Sequence, residues 1–281
     1  MAGFFGFFDY SKPGKGVRKD EPKRSHFVMF FILLQRKFWK MVQVNILFLL
    51  FCLPVVGAVA LTGTGTAPSL VLPLTILQLV VTGPAIAGML YILRNIETES
   101  PVFLLSDFWD SFKGNFKQAF LYGLLCAAVT YLMYLAATFY MRSAPDNIWM
   151  YAPLGLVLFM SLMFLFANFY IFPMIVTLEL PLPALIKNGV ILSMICAKAN
   201  FIILFWLVLI VFVFWLFPVL GFIFYLLIGC SVIGFVIMHN AYPGIKKYAI
   251  DPYMAQLEED AAKPVEGGVF EDERTLPEDK S

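Results

Sequence analysis

Six long apolar runs separated by short polar stretches set the pattern of this chain. They cover residues 41–60, 70–93, 118–140, 150–178, 201–218 and 220–242. Each comes close to or exceeds the roughly 20 residues that a helix needs to cross the ~30 Å hydrocarbon core of a bilayer. The spacing therefore predicts six transmembrane helices. The fifth and sixth runs are joined only by Phe217-Pro218-Val219-Leu220-Gly221, which predicts a tight helical hairpin. A single helix of about 40 apolar residues would be twice as long as the core is thick. Over residues 57–81 the helical signal is interrupted by Gly57, Gly63, Gly65, Pro68 and Pro73.

A polar island, Ser106 to Phe120, stands between the second and third runs. Read as a helix from about Pro101, it places Leu104, Leu105, Phe108, Trp109, Phe112, Phe116 and Phe120 on one side. Asp107, Asp110, Lys113, Lys117 and Gln118 fall on the other. That i, i+3, i+4 pattern predicts an amphipathic helix lying in the membrane interface. Ser100 followed by Pro101 supplies its start signal. The aromatic stripe reads first as packing against neighbouring spans. The charged face, Asp107, Asp110, Lys113 and Lys117, is the candidate surface for a partner. A second amphipathic segment precedes the first span, where Phe27, Phe30, Phe31, Leu34 and Phe38 recur at helical spacing beside Arg36, Lys37 and Lys40.

Composition sharpens the class. The chain is 60% hydrophobic and 14% charged over 281 residues, against roughly 25% charged in a soluble domain. The expected architecture is an all-α polytopic membrane protein whose main solvent partner is the lipid bilayer. Three regions follow: a basic N-terminal segment with an interfacial helix (1–40), a six-span domain (41–245) and an acidic tail (246–281). From Asp251 onward the tail holds ten acids against three bases, a composition expected to stay largely unfolded.

Charge distribution predicts orientation. With the N-terminus in the cytoplasm, 19 of the 20 Lys and Arg residues fall on the inner side and only Arg142 lies outside. The positive-inside rule then puts both termini in the cytoplasm of a multi-pass cell-membrane protein. The external connections, near 61–69 and 141–149, are short. No cleavable signal peptide is expected, since no small-residue cleavage site follows the first apolar run.

Candidate chemistry is sparse. Cys52, Cys126, Cys196 and Cys230 stand singly, without metal-ligand spacing. His26 and His239 have no second ligand near them in sequence, and no protease or nucleotide motif is present. Catalytic residues, cofactor and metal are therefore assigned as none, and nucleic acid is not an expected partner. Asn45, Gln78, Asn168 and Asn240 are the polar residues inside spans, most simply read as interhelical glue. Lys198-Ala-Asn-Phe201 echoes Lys113-Gly-Asn-Phe116, and Pro84 and Pro173 lie in the preceding spans. The echo suggests a weak duplication of span, cytoplasmic helix, span, an arrangement frequent in transporters.

Four stretches carry a resemblance. They are Phe51-Cys-Leu-Pro-Val-Val56, the run from Thr82-Gly-Pro-Ala through Leu-Arg-Asn95, Ser106-Asp-Phe through Asn115-Phe-Lys-Gln118, and Phe7-Phe-Asp-Tyr-Ser-Lys-Pro-Gly-Lys-Gly16. Together they resemble the YesL-like family of bacterial integral membrane proteins of unknown function. In this chain 25 residues (57–81) separate two elements that the family sets nearly side by side. The resemblance carries no catalytic residues. It implies an accessory role in carbohydrate transport, because genes of the family often neighbour sugar-uptake transporters. The expected function is thus a non-enzymatic accessory or regulatory component working with transporter subunits. The alternative is a small permease whose path is lined by Asn45, Gln78 and Asn168.

Overall fold

The computed structural model describes residues 25–65 and 67–255. Among them every regular element is helical, as the apolar runs require. The chain divides into two units, Met1–Phe38 and Trp39–Ser281.

In the first unit, α1 spans His26–Arg36. Ser25 caps it, its Oγ accepting a hydrogen bond from the Val28 N–H at 3.4 Å. Phe31 is met edge-on by both Phe27 and Phe30, with ring centres 5.1 and 5.2 Å apart. Residues 1–24, the start of the basic N-terminal segment, lie outside the described residues.

The first expected span is broken. Helices α2 (Phe38–Phe51) and α3 (Leu53–Thr64) meet at Cys52 with a bend of 52°. Pro54 in the first turn of α3 explains the break, since proline has no N–H to give to the preceding turn and its ring crowds that turn's carbonyl. Gly65 then closes α3 in the left-handed region at φ 65°, a conformation that glycine adopts without strain. After a short 3₁₀ turn at Pro68–Leu70, α4 runs from Val71 to Glu97. The glycines and prolines of 57–81 thus disturb only the turn, and two helices pair across it.

Helix α4 is the hub, packing on α3, on α5 (Leu104–Gly114), α6 (Phe116–Ser143), α7 (Tyr151–Ile175) and α11 (Cys230–Ile245). Its crossing with α6 is made by small residues. A Cβ on Gly83 would collide with the Ala119 carbonyl, and one on Gly123 would sit 3.3 Å from the Gly83 Cα. Such small-xxx-small contacts let helix backbones approach where no hydrophobic force drives them together.

The polar island folds differently from the expectation in two respects. The helix starts at Leu104, not Pro101, and Asp107 in its first turn reaches back to accept the Phe103 N–H at 2.8 Å. Ser100 instead shares a 2.9 Å hydrogen bond with Thr98. The helix also stops at Gly114, so Phe116 and Lys117 belong to α6 and follow its direction. The aromatic stripe does pack: Phe108 stacks on Phe51 at 5.4 Å and presses on Gly88 of α4. Trp109, expected in the buried stripe, is 45% exposed.

A comparable sequence of elements follows. From α7, containing Pro173, the chain enters α8 (Leu182–Ile195), which folds back so that Gly189 lies against Ile171, and then α9 (Ala197–Leu216). In both halves an asparagine holds a serine carbonyl of the short helix: Asn115 Nδ2 donates to Ser111 at 3.1 Å, and Asn200 Nδ2 to Ser193 at 2.6 Å. The register differs, because Asn115 precedes α6 whereas Asn200 lies within α9.

At the Phe217-Pro218 corner the chain reverses into α10 (Pro218–Phe224), a π-helical turn (Tyr225–Gly229) and α11. Gly221 sits against the backbone of Phe214, which closes the expected hairpin. Tyr242-Pro-Gly does not end the last helix. It continues through a second π turn, Lys246–Ile250, to Ala255, and residues 256–281 lie outside the described residues.

Among the described residues five helices are long and apolar enough to span a bilayer, or six if the bent α2/α3 pair crosses as one span. The chain is a polytopic α-helical membrane protein. Its longest helix, Pro218–Ala255, has 38 residues. At 1.5 Å per residue that exceeds the hydrocarbon thickness, so one end must project beyond it.

Candidate functional site

The four intramembrane amides are dispersed, and each is engaged within the chain. Asn45 is fully buried and donates through Nδ2 to the carbonyls of Tyr225 and Leu226 (3.1 and 2.8 Å), while its Oδ1 accepts the Ser231 N–H at 3.1 Å. It thereby satisfies backbone groups around the π turn, where the regular α-helical ladder is interrupted. Gln78 accepts the Val55 N–H at 3.1 Å, one of the donors that the first turn of α3 leaves without a helical partner. Asn168 takes hydrogen bonds from Tyr122 and Cys126 (2.9 and 3.1 Å), joining α7 to α6. Asn240 donates to Val236 within α11. The structure brings no two of these four residues together.

The charged face of the polar island divides as well. Asp107 accepts the Phe103 N–H at the start of its own helix, and Asp110 accepts from Ser106 at 3.2 Å. Lys113 lies over the Trp109 ring at 4.9 Å. Lys117 stands one helix further on, but it shares a groove with Lys113.

That groove lies where the helices gather at one end of the bundle. Arg94, near the end of α4, donates to the Val176 carbonyl just past α7 at 2.8 Å and to Asn95 Oδ1 at 3.0 Å. Its guanidinium also lies over the Tyr91 ring at 4.4 Å. Gln118 at the start of α6 donates to Leu180 at 3.0 Å. Between these ties is a cavity of about 1030 Å³ lined by Arg94, Lys113, Asn115, Lys117, Gln118 and Glu179, among others. Arg94 is thus half-buried and bonded within the chain.

One pairing escaped the sequence reading. His239 Nδ1 stands 2.7 Å from Glu97 Oε2, with side-chain exposures of only 3% and 12%. The two residues are 142 positions apart, so no local spacing marked them. Nearby, Cys196 fits against Gly244. Burial pushes its thiol pKa up, against the opposing pull of the Tyr170 hydroxyl and the Lys247 charge. Among the described residues no group of three metal-ligating side chains is assembled.

No curated protein and no solved structure matches this chain. Residues 41–136, from the start of the first bent span to late in α6, match the family model described as Protein of unknown function, DUF624.

Proposed function

We propose that the protein is a YesL-like, multi-pass cell-membrane protein with both termini in the cytoplasm. In this reading it acts without catalysis, as an accessory or regulatory component of a carbohydrate transport system. The observation that carries it against the permease alternative is the fate of the amides. Asn45, Gln78 and Asn168 each spend their hydrogen bonds on different helix contacts, whereas a solute path needs polar groups facing a common space. The polar surface that does assemble is the basic end of the bundle, suited to contact with another protein or the inner leaflet. The match of residues 41–136 to a family of unknown function is compatible with this role.

Three experiments test it. Affinity capture of the full chain from native membranes should recover a sugar-transporter subunit. Sugar flux by the pure protein in liposomes, with no such subunit captured, would overturn the accessory role in favour of the permease. Single-cysteine labelling should find position 113 protected from external reagent and position 145 reactive. The opposite pattern would reverse the orientation.

A further inference from the structure

We infer that the groove at the basic end binds a phosphate group carried on a small polyhydroxylated moiety. The cations come first. Arg94, Lys113 and Lys117 line the groove with a single acid, Glu179, leaving an excess of two positive charges. Among the described residues none of these cations forms an ion pair, so none is neutralised within the groove.

Arg94 is already oriented. Val176 and Asn95 take two of its donors and Tyr91 supports its face, leaving further N–H groups of the guanidinium fork. Lys113 is steadied over Trp109. Holding both cations in place before a ligand arrives lowers the ordering cost of binding.

Helix ends of both signs meet at the groove, that of α6 among them. This 28-residue helix begins in the groove at Asn115, whose side chain does not cap it but turns back to Ser111. Its positive end is offset there by the carbonyl ends of α5 at Gly114 and of α7 at Ile175, which line the same groove, so the preference for an oxyanion rests on the three side-chain cations.

Glu179 sets the class of ligand. A bare phosphate would gain nothing from a carboxylate beside it. A phosphate bearing hydroxyl groups would, since an ionised carboxylate is purely an acceptor and vicinal hydroxyls are donors. The cavity, about 1030 Å³, has room for such a group. The same chemistry is offered by the glycerol-phosphate head of a membrane lipid and by a free polyol phosphate. This inference stands apart from the accessory role, because binding is a property of the isolated chain.

The test uses purified full-length protein in two arms. In one, sn-glycerol 3-phosphate or inorganic phosphate is titrated into protein in neutral detergent. In the other, nanodiscs of phosphatidylcholine with and without phosphatidylglycerol are compared for lipid retained after exchange. Saturable binding in the first arm identifies a free solute, and selective retention in the second identifies a lipid head. Lys113→Gln/Lys117→Gln should weaken binding about 30-fold, taking about 1 kcal/mol per lysine. Lys187→Gln/Lys198→Gln, whose lysines lie outside the groove, should leave it unchanged. Glu179→Gln should reduce the preference for glycerol phosphate over inorganic phosphate. Absence of binding in both arms, or equal loss in the two lysine pairs, overturns the inference.

Discussion

His239 on α11 holds Glu97 at the end of α4 through a 2.7 Å contact that is almost closed to solvent. It is a tie between the hub helix and α11. Removing the imidazole leaves the largely buried carboxylate without this hydrogen bond, and an unsatisfied buried group of this kind costs about 1–3 kcal/mol. His239→Ala should therefore lower the melting temperature in detergent clearly. The double variant His239→Ala/Glu97→Gln should cost less than the sum of the two single changes. Additive losses would show that the two groups do not stabilise one another.

Asn45 offers a second test within the apolar interior. Asn45→Leu removes the partners of two carbonyls and of the Ser231 N–H. The expected loss is about 1–3 kcal/mol from unsatisfied buried groups. Asn240→Leu, whose amide serves only its own helix turn at Val236, should cost less. Thermal unfolding of both variants in the same detergent decides the order.

These cases show what the chain reveals in advance. The helical spans were legible because lipid demands long apolar runs, and the hairpin at Phe217-Pro218 because too many such residues adjoin for one crossing. The glue role of Asn45 followed from its type and setting. The break at Asn115 was not legible, since the aromatic spacing runs unbroken from Phe112 through Phe116 to Phe120 while the backbone turns beneath it. Nor was the continuation past Pro243, because a proline that ends an exposed helix is tolerated where neighbouring helices support the backbone. The His239–Glu97 pair and the Arg94 groove depend on which helix ends meet, and no local spacing encodes that.

The α4–α6 crossing predicts a contrast between glycines. Gly83→Ala should drive a methyl group into the Ala119 carbonyl and destabilise the protein, overpacking costing about 1–3 kcal/mol. Gly155→Ala meets nothing within 4 Å and should be neutral or slightly stabilising, as alanine is the better helix former. Equal melting temperatures for the two variants would contradict the close crossing.

Within α5, Phe108→Ala should be the costly change, about 3–5 kcal/mol for a buried phenyl ring. Trp109→Ala should cost less, its ring being nearly half exposed. Asp107→Ala should remove the hydrogen bond to the Phe103 N–H, at about 0.5–1.5 kcal/mol, and Asp110→Ala should stay within about 0.5 kcal/mol. Melting curves of the four variants give the ranking directly.

Cys196 gives a pH-dependent readout. Its raised pKa keeps the thiol protonated further into the alkaline range than in the unfolded chain. The stability this contributes is fully present below the unfolded pKa and is lost as pH rises through the folded one. In a variant retaining only this cysteine, iodoacetamide labelling of native protein should lag behind that of denatured protein at neutral pH. The gap should narrow as pH rises. Equal rates at neutral pH would contradict the protected setting.

The π turn at Tyr225–Gly229 has a consequence for how the last helix is aimed. Such a turn carries one residue more than the α-helix it interrupts, and one residue corresponds to a rotation of about 100°. Everything after it, Gly234 against Leu93 and His239 against Glu97, is therefore phased by that single extra residue. Shortening the turn by one residue into a regular helix would leave the composition of α11 untouched. It would nevertheless swing the imidazole away from its carboxylate and present a different stripe of side chains to the hub, so the wedge held open by Asn45 works as the phase-setting element of the bundle.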